Sequence, residues 1–284
     1  MAEKSAISWT KSTFNPWIGC TKVGPGCDNC YAAVSTPARS MKINWGPGEP
    51  RKRTSIHNWN QPHKWNRQAA ITGEFWPVFC ASLADVFDNE VPDEWRFDLW
   101  ELIEATPNLS WLLVTKRIGN VERMVPRSWL VGGARSNVRI LITVVNQDEA
   151  DRDIPKLLAL PFNNGISYEP ALGPVDWCLW LPGTWQAAWK PPHAIEWVIV
   201  GGESDQAGAK ARPFNINWAH STIEQCRAAG VAVFVKQLGS NLCGEIDHEL
   251  HDGYGPLKDR SGSDPNEWPA DLRVQEFPGW KVLA

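Results

Sequence analysis

The sequence predicts an α/β fold, a (β/α) barrel that is complete or partial, formed by a single domain over residues 1–284. Three observations predict it. From Pro77 onward, short apolar runs alternate with amphipathic stretches in six or seven units. The strongest of these runs are apolar without interruption, as in parallel strands buried on both faces by helices, and repeated β/α units in one chain favour a barrel over an open sheet. A chain of 284 residues with 43% apolar side chains is also long enough and apolar enough to bury a large core.

Taken in order, Ile7-Ser8-Trp9-Thr10 and Asn15-Pro16-Trp17-Ile18 read as strand and then loop. Residues 37–67 read as an irregular basic insertion rich in Pro, Gly and Asn. It carries Arg39, Lys42, Arg51, Lys52, Arg53, Lys64 and Arg67 against the single acid Glu49. Trp45, Trp59 and Trp65 are interleaved with those charges, a composition that suits phosphate neutralisation and base stacking. It equally suits a solvated loop that tryptophans anchor to the core. Residues 78–82 are the next strand, and a helix starts near Pro92-Asp93-Glu94 with Trp95, Leu99, Leu102 and Ile103 facing inward. Residues 111–115 and 139–145 are strands, and Ile154, Leu157 and Leu158 form the apolar stripe of a helix over 147–160. A short strand at 165–168, a Pro- and Trp-rich connection over 170–192 and a buried strand at 196–200 follow. A helix over 217–229, closed by Gly230, then leads into a last strand at 231–235. The irregular C-terminal extension from about 243 to 284 should wrap the barrel, because Trp268-Pro269, Leu272 and Val274 are too apolar for a free end.

Composition narrows the function classes. A formal charge of −4 excludes wholesale electrostatic coating of nucleic acid and leaves only a local patch. Tryptophan, with 18 copies, outnumbers the 9 phenylalanines and 3 tyrosines together, and core packing is the expected use of most of them. No apolar run of about 18 residues is present, and no apolar stretch follows Met1-Ala2-Glu3-Lys4-Ser5. The expectation is a soluble, cytoplasmic protein with no membrane partner.

Chemistry concentrates first in Cys20, Cys27 and Cys30, a C-x6-C-x2-C arrangement that holds three of the seven cysteines. The two-residue gap turns Cys27 and Cys30 toward one centre, and Gly24-Pro25-Gly26 supplies the bend that returns Cys20 to it. A structural zinc site takes four closed ligands, whereas an iron–sulfur cluster on three thiolates keeps one open iron, so three without an evident fourth favour the cluster. Zinc that recruits a further Cys or His, and a disulfide, remain as alternatives.

The second concentration is at the strand ends, which gather at one mouth in parallel β/α folds. These positions are Ser82 and Asp85; Thr115, Lys116 and Arg117; Asn146 and Gln147; Glu169; Gly201, Gly202, Glu203 and Ser204; Lys236 and Gln237. In Gly201-Gly202-Glu203 the glycines would expose backbone to a ligand and the carboxylate would accept hydrogen bonds from an ammonium group. Together with an open iron, these features suit a zwitterion such as S-adenosylmethionine.

Several motifs together resemble one family. They are Gly19-Cys20-Thr21-Lys22-Val23 with Gly26-Cys27-Asp28-Asn29-Cys30-Tyr31-Ala32, Trp45-Gly46-Pro47-Gly48, Ala81-Ser82-Leu83-Ala84-Asp85-Val86-Phe87 and Leu113-Val114-Thr115-Lys116-Arg117. Glu169-Pro170-Ala171-Leu172-Gly173-Pro174-Val175, Val200-Gly201-Gly202-Glu203-Ser204 with Ala211-Arg212-Pro213, and Lys236-Gln237-Leu238-Gly239 complete the set. Over about residues 7–278 the chain resembles the phage-type three-cysteine-motif family, a domain of unknown function common in phages and prophages and regarded as radical-SAM-like.

The resemblance implies a radical-SAM-type barrel with a 4Fe–4S cluster on Cys20, Cys27 and Cys30. Reductive cleavage of S-adenosylmethionine there would give a 5′-deoxyadenosyl radical. Gly201, Gly202, Glu203, Glu169, Asn146 and Ser82 would then bind the cofactor, Tyr31 would pack on its adenine, and Lys116, Asp85, Lys236 and Gln237 would face the substrate as catalytic candidates. The expected partners are a nucleotide or nucleic acid, undergoing modification or repair, and an electron donor; a partner protein encoded nearby is compatible with this scheme. The competing expectation is a non-catalytic nucleic-acid-binding module whose iron–sulfur or zinc site only pins the N-terminal loop.

Overall fold

A computed structural model describes residues 3–131, 136–183, 193–244 and 257–279. Seven strands form one sheet: β1 (Ser12–Thr13), β2 (Pro77–Cys80), β3 (Ser110–Thr115), β4 (Val138–Thr143), β5 (Asn163–Tyr168), β6 (Ile195–Gly201) and β7 (Ala232–Gln237). They lie side by side in chain order, and every neighbouring pair is parallel.

The sheet curls into a half-barrel. Trp9 precedes β1, yet its ring lies 4.8 Å from Phe79 in β2 and 6.2 Å from Trp197 in β6. In a flat sheet β1 and β6 would be five strand spacings apart, roughly 24 Å. Trp9, Phe79, Leu112, Leu141, Trp197, Ile199 and Phe234 fill the concave face as one cluster. The alternate residues, among them Trp111, Leu113, Ile140, Ile142, Val198 and Val200, point the other way into the main core beneath the helices. Strands that are apolar on both faces are therefore legible in the sequence, because each face has its own core.

Among the described residues β1 and β7 do not pair, so the barrel is partial. The chain's end covers the open edge at β7. Val235 N donates to Val274 O at 2.8 Å, Glu276 N donates to Val233 O at 3.0 Å, and Trp268, Leu272 and Val274 are buried. An exposed strand edge is a template for unwanted pairing, and this tail occupies it.

Helices Asp93–Glu104, Gln147–Leu158 and Ile216–Ala228 bury Leu99, Leu102 and Ile103, then Ile154, Leu157 and Leu158, then Ala219 and Ile223. Gly230 adopts φ 69° just past the last of them, the left-handed conformation that ends helices on glycine. No helix among the described residues is long and apolar enough to cross a membrane.

Two segments differ from expectation. Residues 37–67 hold three helical stretches on either side of an irregular segment, rather than being irregular throughout. Helices Thr36–Ser40 and Ile56–Trp59 start on the side-chain caps of Ser35 and Ser55, and helix Gln61–Thr72 carries Pro62 in its first turn and ends at Gly73 in the left-handed region. The prolines and glycines that read as loop punctuation start and stop helices here. Lys52–Arg53 pairs antiparallel with Trp17–Ile18. The first sheet strand is Ser12–Thr13 rather than residues 7–10, because two buried polar residues give no apolar signal. Within the predicted connection and tail, residues 184–192, 245–256 and 280–284 lie outside those described.

Candidate functional site

The C-terminal ends of the strands surround a cavity of about 470 Å³. Trp9, Phe79 and Val114 form its apolar floor, and Lys116, Thr143, Ser167, Glu169, Lys236 and Gln237 form its polar wall. Most of these wall positions follow from the two-residue period of a strand. Lys116 continues the inward series Leu112, Val114; Thr143 follows Leu141; Lys236 follows Phe234. Lys236 Nζ stands 3.2 Å from Glu169 Oε1, and Lys116 Nζ donates to Thr143 Oγ1 at 3.3 Å. Gln237 Nε2 donates to Gly202 O at 2.7 Å and to Ser204 Oγ at 2.9 Å.

The cysteine loop lies across this mouth, and Gly26, Asn29, Cys30 and Tyr31 contribute to the cavity lining. Its glycines permit close approach. A Cβ on Gly26 would sit 2.9 Å from Val145 Cγ1 and 3.2 Å from Lys116 Cε, and one on Gly24 would sit 2.9 Å from Glu149 Oε1. On the β1 side, Arg51 Nη2 donates to Thr21 Oγ1 at 2.7 Å and Arg117 Nη2 donates to Thr21 O at 2.8 Å. On the β6 side, Arg212 Nη1 donates to Pro25 O at 2.9 Å, and Asn29 Nδ2 donates to Glu203 Oε2 at 2.9 Å. The loop thus spans the half-barrel from one side to the other.

Glu203 borders the cavity, but its carboxylate is already occupied. Arg212 donates to it through its backbone N and Nε at 3.0 Å each and through Nη2 at 2.6 Å, in addition to Asn29. Burial works to raise this carboxyl; the Arg212 hydrogen bonds, aided by Asn29 and the guanidinium charge, outweigh it and hold the group below its ordinary 4.5. The expected amine acceptor therefore serves as a tie between the loop and β6. A depressed folded-state value means that this tie contributes fully above pH 4.5 and is lost as the pH falls through the lower value. Glu203→Gln should accordingly lose less stability than the parent between about pH 6 and about pH 3 in urea titrations; equal losses would show that the carboxylate is not coupled to folding.

Gly202 lines the cavity, and both glycines also permit close packing at the ends of β6 and β7. A Cβ on Gly202 would stand 2.5 Å from Leu238 O and 2.8 Å from Leu238 C, and one on Gly201 would stand 3.0 Å from Glu169 Oε1. Gly202→Ala should destabilise the chain by about 2–3 kcal/mol, because both close contacts are backbone. Gly119→Ala, with nothing within 4 Å, should be neutral or stabilising in the same denaturant titration.

Three further expected residues stay outside the cavity. Asp85 is buried and accepts from Thr115 Oγ1, Lys116 N and Phe87 N, which fixes the end of β3 instead of facing substrate. Ser82 bonds Asn15, and Asn146 caps helix Gln147–Leu158 by accepting from Glu149 N. The basic segment differs as well. The Arg51 side chain is fully buried on Asp88, Trp59 and Trp65 are core residues, and Arg53 stacks 4.3 Å over Trp59 while pairing with Asp98.

Of the three cysteines, Cys27 is buried, Cys20 is half-buried and Cys30 lines the cavity. Burial, reinforced by Asp85 and opposed by Arg117, pushes the Cys20 thiol up to about 12. Cys80 and Cys226 lie in the helix-covered core, and Cys178 and Cys243 are exposed. Among the described residues no three His, Cys, Asp or Glu side chains are gathered tightly enough to hold one metal ion.

Residues 4–260 match the family described as "Protein of unknown function (DUF5131)". The chain belongs to that family. No curated protein matches this DUF5131 member. Among solved structures it is similar to a double mutant of spore photoproduct lyase with bound AdoMet and dinucleoside spore photoproduct. That match has 14% identity and a TM-score of 0.43, and it covers 84% of this chain and 59% of the other. A second, spore photoproduct lyase complexed with dinucleoside spore photoproduct, has 15% identity and a TM-score of 0.40 over 59% of this chain and 47% of the other. The DUF5131 chain thus spans about half the length of the solved structures it matches.

Two residues of the DUF5131 site, Thr143 and Ser167, were not singled out from the sequence, and Arg117 and Arg212 were named there without a role as contacts of the cysteine loop. Thr143 and Ser167 carry a usable signal, since each is a polar residue at an inward position of a buried strand. The pairing of Arg212 with Glu203 gives none, because a loop folds it back from nine positions away.

Proposed function

We propose that this protein is a radical-SAM-type enzyme in which Cys20, Cys27 and Cys30 hold a 4Fe–4S cluster at the half-barrel mouth, with S-adenosylmethionine and a nucleotide or nucleic-acid substrate in the adjoining cavity. One observation carries this reading: the three-cysteine loop lies across a curled parallel sheet and places Cys30 on the cavity wall with Lys116, Glu169 and Lys236.

The donor set fits the group. A single zinc ion draws four ligands to about 2.0–2.3 Å. A four-iron cube takes one thiolate per iron, so its thiolates stand farther apart than those sharing one ion. Three thiols on one short loop, with no fourth cysteine on it, are the donor type and number that a cluster with one open iron takes. A buried Arg117 Nη1 without a hydrogen-bond partner adjoins them. When bound, the cluster supplies the electron for reductive cleavage of S-adenosylmethionine.

The chain's own residues then bind and orient. Among the described residues Glu169 has one ion partner, Lys236, where Glu203 already accepts four hydrogen bonds, so it keeps the capacity to accept from an ammonium group. Tyr31, 46% exposed on the rim, offers a ring face for stacking. Trp9, Phe79 and Val114 exclude water from below. With Glu203 taken by Arg212 and Glu169 by Lys236, Lys116 has no carboxylate within ion-pair distance among the described residues and suits an anionic substrate group such as a phosphate. Lys116→Ala should therefore weaken oligonucleotide binding and flatten its log-affinity against log-salt slope by roughly 0.7. An unchanged slope would move the substrate away from phosphate-bearing molecules.

A further inference from the structure

We propose that Arg117 sets the reduction potential of the cluster held by Cys20, Cys27 and Cys30, as a positioning residue whose guanidinium lies beside the thiolates. This inference rests on the cluster reading above.

Arg117 follows β3 directly and is 8% exposed. Its Nη2 donates to Thr21 O at 2.8 Å, and the same carbonyl accepts from Cys20 Sγ at 3.5 Å. Guanidinium and thiol therefore share one acceptor and stand no more than about 6.3 Å apart. Nη1 is enclosed and has no hydrogen-bond partner among the described residues. Asp85 Oδ2 is 3.8 Å away, outside hydrogen-bond range, and already accepts from Thr115 Oγ1 and Lys116 N. Asp88 Oδ1 stands 3.4 Å from Nη2, while Asp88 Oδ2 is taken by Arg51 at 2.7 Å. Cys20 and Cys27 both lie within the electrostatic reach of Arg117.

The guanidinium charge is balanced by Asp85 and Asp88, but a buried N–H without a hydrogen bond is costly, and metal-bound thiolates beside it would offer Nη1 an acceptor. Reduction adds one electron, drawn from an external reductant such as dithionite, so the cluster and its thiolates become more negative by one. A fixed cation beside the sulfurs stabilises that reduced state more than the oxidised one, whereas Asp85 and Asp88 act in the opposite sense.

The test is an EPR-monitored redox titration of anaerobically reconstituted parent, R117Q, R117K and D88N, with iron and sulfide counted on each sample. R117Q should reduce with an equilibrium constant about tenfold lower, which is about 59 mV more negative for one electron. R117K, which keeps the charge, should stay close to the parent, and D88N, which removes an opposing anion, should move to a more positive potential. An R117Q protein with full iron that titrates with the parent overturns the proposal. If R117Q does not fold, D88N decides, because an unchanged or more negative potential there overturns it equally. A parent that assembles no cluster overturns the cluster reading itself, an outcome that the iron count separates from the others.

Discussion

Anaerobic reconstitution of the Cys20→Ala, Cys27→Ala and Cys30→Ala variants is expected to leave less than one iron per chain, against about four in the parent. Cys178→Ala and Cys226→Ala should keep the parental content. The loop geometry accounts for the contrast. Cys178 is exposed and bonded to Gln225, and Cys226 is packed in the core beneath helix Ile216–Ala228. Neither lies on the loop that crosses the mouth. Each loop thiolate would hold one iron, so the loss of any one removes a corner of the cube that no other described cysteine replaces. Loss of iron on changing Cys226 would show that the ligand set is different.

Arg51→Ala is expected to lower the unfolding free energy by about 3–5 kcal/mol, the usual cost of leaving one partner of a buried ion pair alone. The Arg51 side chain is fully buried, and Asp88, at 2% side-chain exposure, lies 2.7 Å away. Glu90 pairs with the same guanidinium, which also donates to Gly46 O, Glu49 O and Thr21 Oγ1. Its removal would strand a buried carboxylate and release the β1 side of the cysteine loop. Lys52→Ala, on an exposed neighbour, should change stability by less than about 0.5 kcal/mol in the same chemical denaturation experiment. A similar small change for Arg51→Ala would contradict its role as a buried hub.

Arg51 also shows where the sequence misleads. A run of three basic residues at 51–53, with tryptophans nearby, has the composition of a phosphate-binding segment. Its partners Asp88 and Glu90 lie nearly forty positions away, and no local pattern announces them. Trp59 and Trp65 are ambiguous for the same reason, since an indole that stacks on a base and one that fills a core look alike in a sequence. The half-barrel was legible because strands such as β4 and β6 are apolar on both faces, a pattern that only a sheet covered on both sides requires. Strand β1 was not, because Ser12 and Thr13 join the sheet through pairing with Val78 and Phe79 and not through apolar character of their own.

Their positions just past the predicted strand ends placed Lys116, Glu169 and Lys236 at the mouth, and the structure brings all three to one cavity. The same logic failed for Asp85 and Asn146, which stay outside the cavity, and it placed Glu203 at the cavity without showing that its carboxylate is occupied. Being at a strand end says where a side chain starts but not which donors reach it first. Arg212, Thr115 and the amide of Glu149 reach these three and commit them to the scaffold.

The central claim is that the cysteine loop carries an open-iron cluster beside a cavity that takes S-adenosylmethionine. The most direct measurement is the EPR spectrum of anaerobically reconstituted, dithionite-reduced protein before and after addition of S-adenosylmethionine, with iron, sulfide and zinc counted on the same sample. The account predicts about four iron and four sulfide per chain and a cluster signal that changes shape when S-adenosylmethionine is added. Stoichiometric zinc without iron, or a cluster signal indifferent to S-adenosylmethionine, would contradict it.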